Sequence, residues 1–154
     1  ITPAELCLNS PKVLLDGRTI NSIAGRGKYE GLGIIDNLYF DPAVAGVGNH
    51  IITYSYLTPQ GCADTVKKTI RVLDIPEVDR GEDLNILLAG EKQIKAKVLK
   101  GQNLSYQWSP SQGLSDDKIL NPIASPTETT KYILTVTSPQ GCVIAEEVMV
   151  NVYI

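Results

Sequence analysis

Apolar and polar residues alternate along two pairs of segments, one pair near the end of each half of the chain. The first pair is residues 52–56 and 68–72, and the second is residues 132–136 and 148–152. A period of two is what a β-strand with one buried face requires, because successive side chains point to opposite faces of a sheet. The pattern therefore predicts two hairpins built in the same way.

The turns of these two hairpins also match. Thr-Pro-Gln-Gly-Cys at residues 58–62 recurs as Ser-Pro-Gln-Gly-Cys at residues 138–142, so that Cys142 ends the second turn as Cys62 ends the first. Pro and Gly favour tight turns between strands. The chain is therefore expected to contain an internal duplication.

The boundary between the two halves is expected within residues 74–83, which lack strand periodicity and contain Pro, Gly and several carboxylates. Two domains follow, residues 1–75 and 76–154, each within the size range that folds alone. The carboxylates are Glu77, Asp79, Glu82 and Asp83. A solvated linker is the favoured interpretation, and a calcium site is the alternative, because hard carboxylate oxygens suit Ca²⁺.

Further short strands are expected in both halves. The predicted strands are residues 12–15, 37–40, 50–57, 65–73, 84–88, 93–99, 104–108, 131–137 and 143–153. Thr, Val, Ile and Tyr recur among 13 Gly and 9 Pro, a balance that favours strands and turns over helices. The expected fold class is all-β, with two antiparallel β-sandwiches in tandem and little or no helix.

Charge and hydropathy exclude some classes of partner. The chain has 14 basic and 17 acidic side chains, a net charge of −3, whereas nucleic acid and anionic lipid select a basic surface. No apolar run approaches the ~20 residues that cross a bilayer. We therefore expect neither nucleic-acid binding nor membrane insertion. The first residues lack a signal-peptide pattern and an initiator Met, so we interpret the chain as a fragment of a longer polypeptide.

Several motifs resemble those of a known class of repeat. The second half contains Tyr-Gln-Trp-Ser-Pro at residues 106–110, Gly-Leu-Ser-Asp at 113–116, Asn-Pro-Ile-Ala-Ser-Pro at 121–126 and Thr-Thr-Lys-Tyr-Ile-Leu-Thr-Val-Thr at 129–137. The first half contains Tyr-Phe-Asp-Pro-Ala at 39–43 and Ala-Gly-Val-Gly-Asn-His at 45–50. These runs resemble the Ig-like (PKD-like) repeats of long secreted and surface proteins of Bacteroidota, including gliding-motility-associated adhesins.

The resemblance implies tandem Ig-like sandwiches without catalysis, exported to the cell surface or the medium, commonly by the type IX route. The expected partners are other domains of the same polypeptide, and a surface glycan or protein ligand is left open. Trp108 is the single Trp and lies on an alternating strand, so we expect it to anchor the core of the second domain. Its alternative role, an exposed platform for a sugar ring, is less favoured.

The three cysteines, Cys7, Cys62 and Cys142, give a further expectation. In a sandwich of this type the first strand commonly runs parallel to the last, so we expect a Cys7–Cys62 disulfide, a device of extracellular proteins. In the second half Leu88 stands where related repeats often have a Cys. Cys142 is therefore expected to be a free thiol.

Candidates for chemistry are few. His50 is the single histidine, and a structural role is favoured because the chain has no Gly-x-Ser-x-Gly motif that would supply a nucleophile. The Gly-rich residues 25–33 lack the Lys-Ser/Thr ending of a phosphate loop. No Cys-x-x-Cys spacing is present, so a metal site is not expected. The sequence predicts no cofactor and no enzyme activity.

The function expected from these features is that of a non-catalytic extracellular spacer or adhesion module within a larger surface protein. The alternative is a carbohydrate-binding module that accompanies polysaccharide degradation. That alternative requires a row of exposed aromatic rings. The available rings besides Trp108 are Tyr29, Tyr39, Tyr54, Tyr56, Tyr106, Tyr132 and Tyr153.

Overall fold

A computed structural model describes residues 4–15, 26–57 and 60–154 of the chain. The chain divides into two compact units, Ile1–Asp74 and Ile75–Ile154, here called unit 1 and unit 2. The regular secondary structure of the described residues consists of strands and one short helix. The predicted all-β fold class is therefore confirmed.

Unit 1 is built on one long hairpin. Its strands are β1 (Glu5–Cys7), β2 (Val13–Leu14), β3 (Arg26–Glu30), β4 (Ile34–Ile35), β5 (Tyr39–Phe40), β6 (Gly48–Leu57) and β7 (Ala63–Leu73). The larger sheet has the order β1-β7-β6-β3, and the smaller sheet has the order β2-β5-β4. The core of this unit comprises Leu15, Phe40, Ala45, Ile52, Ile70 and Val72.

The helix of unit 1, α1 (Pro42–Ala45), occupies the connection between β5 and β6. The Asp41 side chain accepts a hydrogen bond from the Ala43 N–H (2.9 Å), and Pro42 follows as the first helical residue, where its missing N–H costs nothing. The helix ends at Gly46, whose φ of 81° is one that glycine adopts without strain. The Asp-Pro sequence at residues 41–42 is typical of a helix start, but the alternating pattern that predicts strands does not detect it.

Unit 2 repeats this plan with a more complete second layer. Its strands are β8 (Glu77–Asp79), β9 (Leu84–Leu87), β10 (Lys92–Gln93), β11 (Lys97–Lys100), β12 (Ser105–Ser109), β13 (Ile123–Ala124), β14 (Thr130–Thr137) and β15 (Val143–Tyr153). The larger sheet has the order β12-β14-β15-β9, and the pairs β8–β11 and β10–β13 form the other layer. Trp108, Tyr132, Leu134, Val136, Val148 and Val150 are fully buried between the layers.

The duplication extends to the strand register. His50 of β6 lies opposite Ile70 of β7, and Thr130 of β14 lies opposite Val150 of β15. Each residue of the second pair follows its equivalent in the first pair by the same number of positions in the sequence (130 − 50 and 150 − 70). The two hairpins therefore have the same register. A shift of one residue would turn every core side chain to the outer face. The shared register therefore places the two cores at corresponding positions.

The two cores are filled differently at these positions. In unit 2 the largest buried ring is Trp108, and its indole N–H donates to the Ile119 carbonyl (2.8 Å). Strand β13 contributes the small Ala124 to the same core, whereas β5, which pairs with β2 as β13 pairs with β10, carries the fully buried Phe40 in unit 1. Among the described residues, the largest fully buried ring thus lies on the larger sheet in unit 2 and on the smaller sheet in unit 1.

One sequence expectation is wrong at the start of unit 2. The residues interpreted as an acidic linker include β8, in which Val78 pairs with Val98 of β11. Val78 is buried in the core, while Glu77 and Asp79 are exposed on either side of it. This stretch is therefore an edge strand of unit 2, and its single apolar residue between two acids is the minimal form of the alternating pattern.

We predict that Trp108→Ala destabilises unit 2 by about 3–5 kcal/mol, since it removes a fully buried ring and leaves a cavity. Equilibrium urea unfolding, followed by far-ultraviolet circular dichroism, measures the loss. The matched control is Leu99→Ala, because Leu99 is 59% exposed and its truncation should cost less than about 0.5 kcal/mol. Equal effects of the two substitutions would contradict the role of Trp108 as core anchor.

Candidate functional site

The first and last strands of the larger sheet lie side by side and run parallel in both units. Glu5 of β1 pairs with Arg71 of β7, and Asn85 of β9 pairs with Asn151 of β15, so the paired residues are equally far apart in sequence in the two units (71 − 5 and 151 − 85). The ladder is extended at one end by the same bond in both units. The Leu8 N–H donates to the Leu73 carbonyl, and the Leu88 N–H donates to the Tyr153 carbonyl, both at 2.8 Å.

Side chains link the same two strands at equivalent positions. In unit 1 the Arg71 guanidinium and the Glu5 carboxylate form an exposed ion pair at 3.5 Å. In unit 2 the Asn151 amide donates to the Asn85 side-chain oxygen at 3.0 Å. An exposed ion pair contributes about 0–1 kcal/mol and a neutral hydrogen bond about 1 kcal/mol. These links therefore align the strands more than they stabilise the fold.

Asp83 provides a second side-chain link in unit 2. Its Oδ1 atom accepts from the Met149 N–H of β15 (3.0 Å) and from the Arg80 guanidinium (2.6 Å). The hydrogen bond from Met149 and the bond from Arg80 hold the pKa of the Asp83 carboxyl below its ordinary value. The ionised carboxylate thus fixes the chain before β9 to the neighbouring strand.

The cysteine expectations are wrong. Cys7 lies opposite Leu73, the last residue of β7, whereas Cys62 precedes Ala63, the first residue of that strand. Cys7 and Cys62 thus lie beside opposite ends of β7, ten or more residues apart, which at about 3.3 Å per residue is roughly 30 Å. A disulfide requires Cα atoms within about 7 Å. Cys7 and Cys142 are the disulfide-bonded cysteines, and Cys62 is an exposed thiol. Cys142 is therefore not the free thiol that was expected.

Two of the four carboxylates considered for calcium, Asp79 and Asp83, serve other contacts. Asp79 accepts from the Gly81 N–H (3.0 Å), and Asp83 has the two partners described above. Within residues 4–15, 26–57 and 60–154, no group of three or more His, Cys, Asp or Glu side chains is arranged to hold a metal ion. The same residues contain no helix with the length and apolar character of a membrane span.

His50 and the Gly-rich stretch have structural contacts. The His50 Nε2 atom donates to the Gly46 carbonyl at 2.7 Å, and the imidazole lies 6.2 Å from the Phe40 ring. His50 thus joins the end of α1 to β6. Residues 25–33 include β3, and the element that follows it is the short strand β4 rather than the helix that a phosphate site requires.

Three tyrosines form a row in unit 1. The ring centroids of Tyr29 and Tyr54 are 4.6 Å apart, and those of Tyr54 and Tyr56 are 6.0 Å apart with planes inclined by 26°. All three rings are half-buried. The Tyr54 ring covers Gly27, where a Cβ atom would overlap it, which explains a glycine within β3. The pairing of β3 with β6 brings Tyr29 alongside Tyr54, and the sequence alone does not reveal this pairing.

An open concavity lies on the outer face of the larger sheet of unit 2. Its lining includes Arg80, Asp83, Lys131, Glu147 and Met149. Lys131 and Glu147 form an exposed ion pair at 3.5 Å, and Arg80 pairs with Asp83. These four lining charges thus pair with one another, which weakens the attraction that they offer to a charged ligand.

The strand arrangement defines the class of fold. A sheet in which the last strand lies between a parallel first strand and its antiparallel hairpin partner, packed on a second antiparallel layer, is an Ig-like β-sandwich. Both units have such a sheet, and unit 2 has both paired elements of the second layer. The expected Ig-like class is therefore shown by topology.

Comparisons with known proteins add little to this assignment. No family model matches the chain, and no curated protein matches it. The insect immune protein hemolin is 13% identical over 84% of this chain and 40% of its own, with a TM-score of 0.38. Drosophila N-cadherin EC1-4 is 12% identical over 98% of this chain and 47% of its own, also with a TM-score of 0.38. The chain spans less than half the length of either structure, and likenesses this weak carry no argument about function.

The Asp83 link predicts a pH dependence of stability. Its folded pKa is below the ordinary value of 3.8, so its contribution is complete above that value and is lost as the pH falls through the folded pKa. We expect the native chain to melt higher than Asp83→Asn from pH 7 to about pH 5, and the difference to shrink below about pH 4.

Thermal melting at several pH values measures this difference, with Glu82→Gln as the control for a neighbouring exposed carboxylate. A difference between native chain and Asp83→Asn that stays constant down to pH 2 would show that the carboxylate charge is not responsible.

Proposed function

We propose that this chain is a non-catalytic structural module that transmits tension along an extracellular protein and holds other domains apart. One observation carries the proposal: the first and last strands of the larger sheet are parallel neighbours in both units. The expected partners are other domains of the same long polypeptide. Attachment to a surface glycan or a protein ligand is a further part of the proposal that awaits a test.

The parallel arrangement determines how a unit responds to force. If the chain is pulled from both ends, β9 is drawn backward from Leu84 and β15 is drawn forward from Tyr153. The two strands must then slide past one another, so the hydrogen bonds of the ladder, which lie across the strands, are loaded together. The side-chain pair Asn85 and Asn151 opposes the same sliding motion.

The compartment is supported by the cysteines. Cys7 and Cys142 are disulfide-bonded, and disulfides persist in oxidising, mostly extracellular environments. An extracellular or cell-surface location is therefore proposed. The finer assignment, to repeats of Bacteroidota surface adhesins exported by the type IX route, is supported by the motif resemblance alone.

Single-molecule stretching tests the mechanical role, with handles at the two termini and the disulfide reduced. We expect two distinct unfolding events, each at a higher force than when the handles are placed on Lys131 and Met149, which are paired residues of β14 and β15. In that second geometry the hairpin opens one bond at a time.

Asn151→Ala supplies a sharper version of the same experiment. It should lower the force of one event and leave the other unchanged, because only unit 2 has the Asn85–Asn151 bond. Ser105→Ala, on the opposite edge strand of the same sheet, is the control that should change neither event. The mechanical role is refuted if the chain extends without resolved events, or if the two pulling geometries give the same force.

A second candidate function, carbohydrate binding, is favoured by the row of Tyr29, Tyr54 and Tyr56. Stacked aromatic rings are suited to the apolar faces of sugars, and the Tyr56 hydroxyl with Asp64, to which it donates at 3.1 Å, would add a polar contact. The row lies on the inner face of the sheet, continuing from the buried Ile52. This candidate therefore ranks below the structural one.

Titration calorimetry with cello-oligosaccharides and xylo-oligosaccharides tests this candidate. If unit 1 binds sugar through the row, Tyr56→Ala should weaken binding at least tenfold, and Tyr153→Ala, which removes an exposed ring from unit 2, should have no effect. Absence of heat with the native chain would eliminate the row as a site for these sugars.

A further inference from the structure

Strand β8 is held in unit 2 by few contacts. It forms a sheet of two strands with β11, and the pairing covers three positions, with an irregularity between Val98 and Lys100. Val78 is the single buried residue of the strand and lies between the exposed Glu77 and Asp79. A short ladder with one buried side chain offers little resistance to the removal of the strand.

The chain that follows β8 is fixed more firmly, beginning at Asp83. The Asp83 carboxylate accepts from the Met149 N–H of β15 and from the Arg80 guanidinium. Beyond it, four consecutive residues of β9 pair with β15, and the Leu88 N–H continues the ladder to the Tyr153 carbonyl. From Asp83 onward the chain is therefore held by more contacts than β8 has.

These two sets of contacts are loaded in series when unit 2 is pulled from its ends. Strand β8 precedes β9 in the chain, so tension applied at the amino end of the unit reaches the β8–β11 pairs before it reaches Asp83. The weaker of two elements in series yields first. Release of β8 therefore precedes the sliding of β9 past β15, and Asp83 is the point at which the release stops.

We propose that β8 is a strand released by tension, which detaches from β11 at a force below the one that unfolds unit 2, and that Asp83 limits the extension. This inference rests on the proposed mechanical function and adds an earlier stage to it. The extension is at most about 25 Å, the fully extended length of residues 77–83. Strands β9 to β15 keep their pairing, so the core around Trp108 is retained.

Release of β8 is expected to be reversible. Only three residue pairs and one buried side chain have to form again, and β11 remains in place as the partner strand. Local strand pairing of this size takes about 1–10 μs, which is fast relative to the stretching of a protein. Unit 2 would thus lengthen and shorten repeatedly under a changing load while it stays folded.

Stretching of the full chain at constant force, with the disulfide reduced, tests the proposal. With handles on Asp74 and Ile154, which bracket unit 2, we expect reversible steps of at most about 25 Å before the main unfolding event. Moving the first handle to Glu82 should abolish these steps, because the tension then bypasses β8. Absence of steps in the first geometry, or their persistence in the second, would overturn the proposal.

Two substitutions separate the released strand from the residue that stops it. Val78→Ala removes the buried anchor of β8, so it should shift the population toward the longer level about tenfold and leave the main unfolding force unchanged. Asp83→Ala should lower the main force without changing the force of the small steps. Asp83→Asn is the matched control, because it keeps a side-chain oxygen for the Met149 N–H and should retain most of the main force.

Failure of this inference and failure of the mechanical function give different results. If Val78→Ala lowers the main force as Asp83→Ala does, β8 leaves together with β9 and the inference is wrong. The same holds if no reversible steps precede a main event that still depends on the pulling geometry. Equal forces from the termini and from the β14–β15 hairpin would reject the mechanical function itself and this inference with it.

Discussion

The parallel pairing of the first and last strands is the constraint from which the remaining structure follows. A parallel neighbour cannot be reached by a tight turn, so the chain must cross to the second layer and return before the final hairpin closes the sheet. Because paired positions are equally far apart in sequence in the two units, that path has the same length in both. The core is then the space that the crossing segments enclose against the hairpin.

The two units share this strand arrangement but differ in the side chains that fill the core and link the strands. Among the described residues, the largest fully buried ring is Trp108 of the larger sheet in unit 2 and Phe40 of the smaller sheet in unit 1. The cross-strand pair at the terminal strands is ionic in unit 1 and an amide pair in unit 2. The strand register is thus retained while the side chains that fill the cores and link the terminal strands change.

The strongly alternating hairpins were predictable from sequence, because a long strand with one buried face repeats its signal many times. The strands that define the fold class were harder to find. Strand β1 is very short and β8 has one buried residue between two acids, too few positions for a pattern to emerge. Their pairing also depends on partners that lie far along the chain, at the end of the unit for β1 and beyond β9 and β10 for β8, which local reasoning does not supply.

The residues of the candidate site were likewise predictable from sequence only in part. The cysteines were identified, but the expected pairing was wrong because Cys7 ends β1 at the level of Leu73, at the opposite end of β7 from Cys62. The row of tyrosines was not foreseen, since it joins residues of different strands through tertiary pairing. Trp108 was placed in the core because a single large ring on an alternating strand needs no knowledge of its partners.

The central claim is the parallel contact of the terminal strands, and nuclear Overhauser effects between backbone protons test it most directly. The account predicts inter-strand contacts that increase together in sequence, from Leu84 and Val150 to Leu87 and Tyr153 in unit 2, and from Glu5 and Arg71 to Cys7 and Leu73 in unit 1. Contacts that run in opposite sequence directions, or no contacts between these strands, would contradict it.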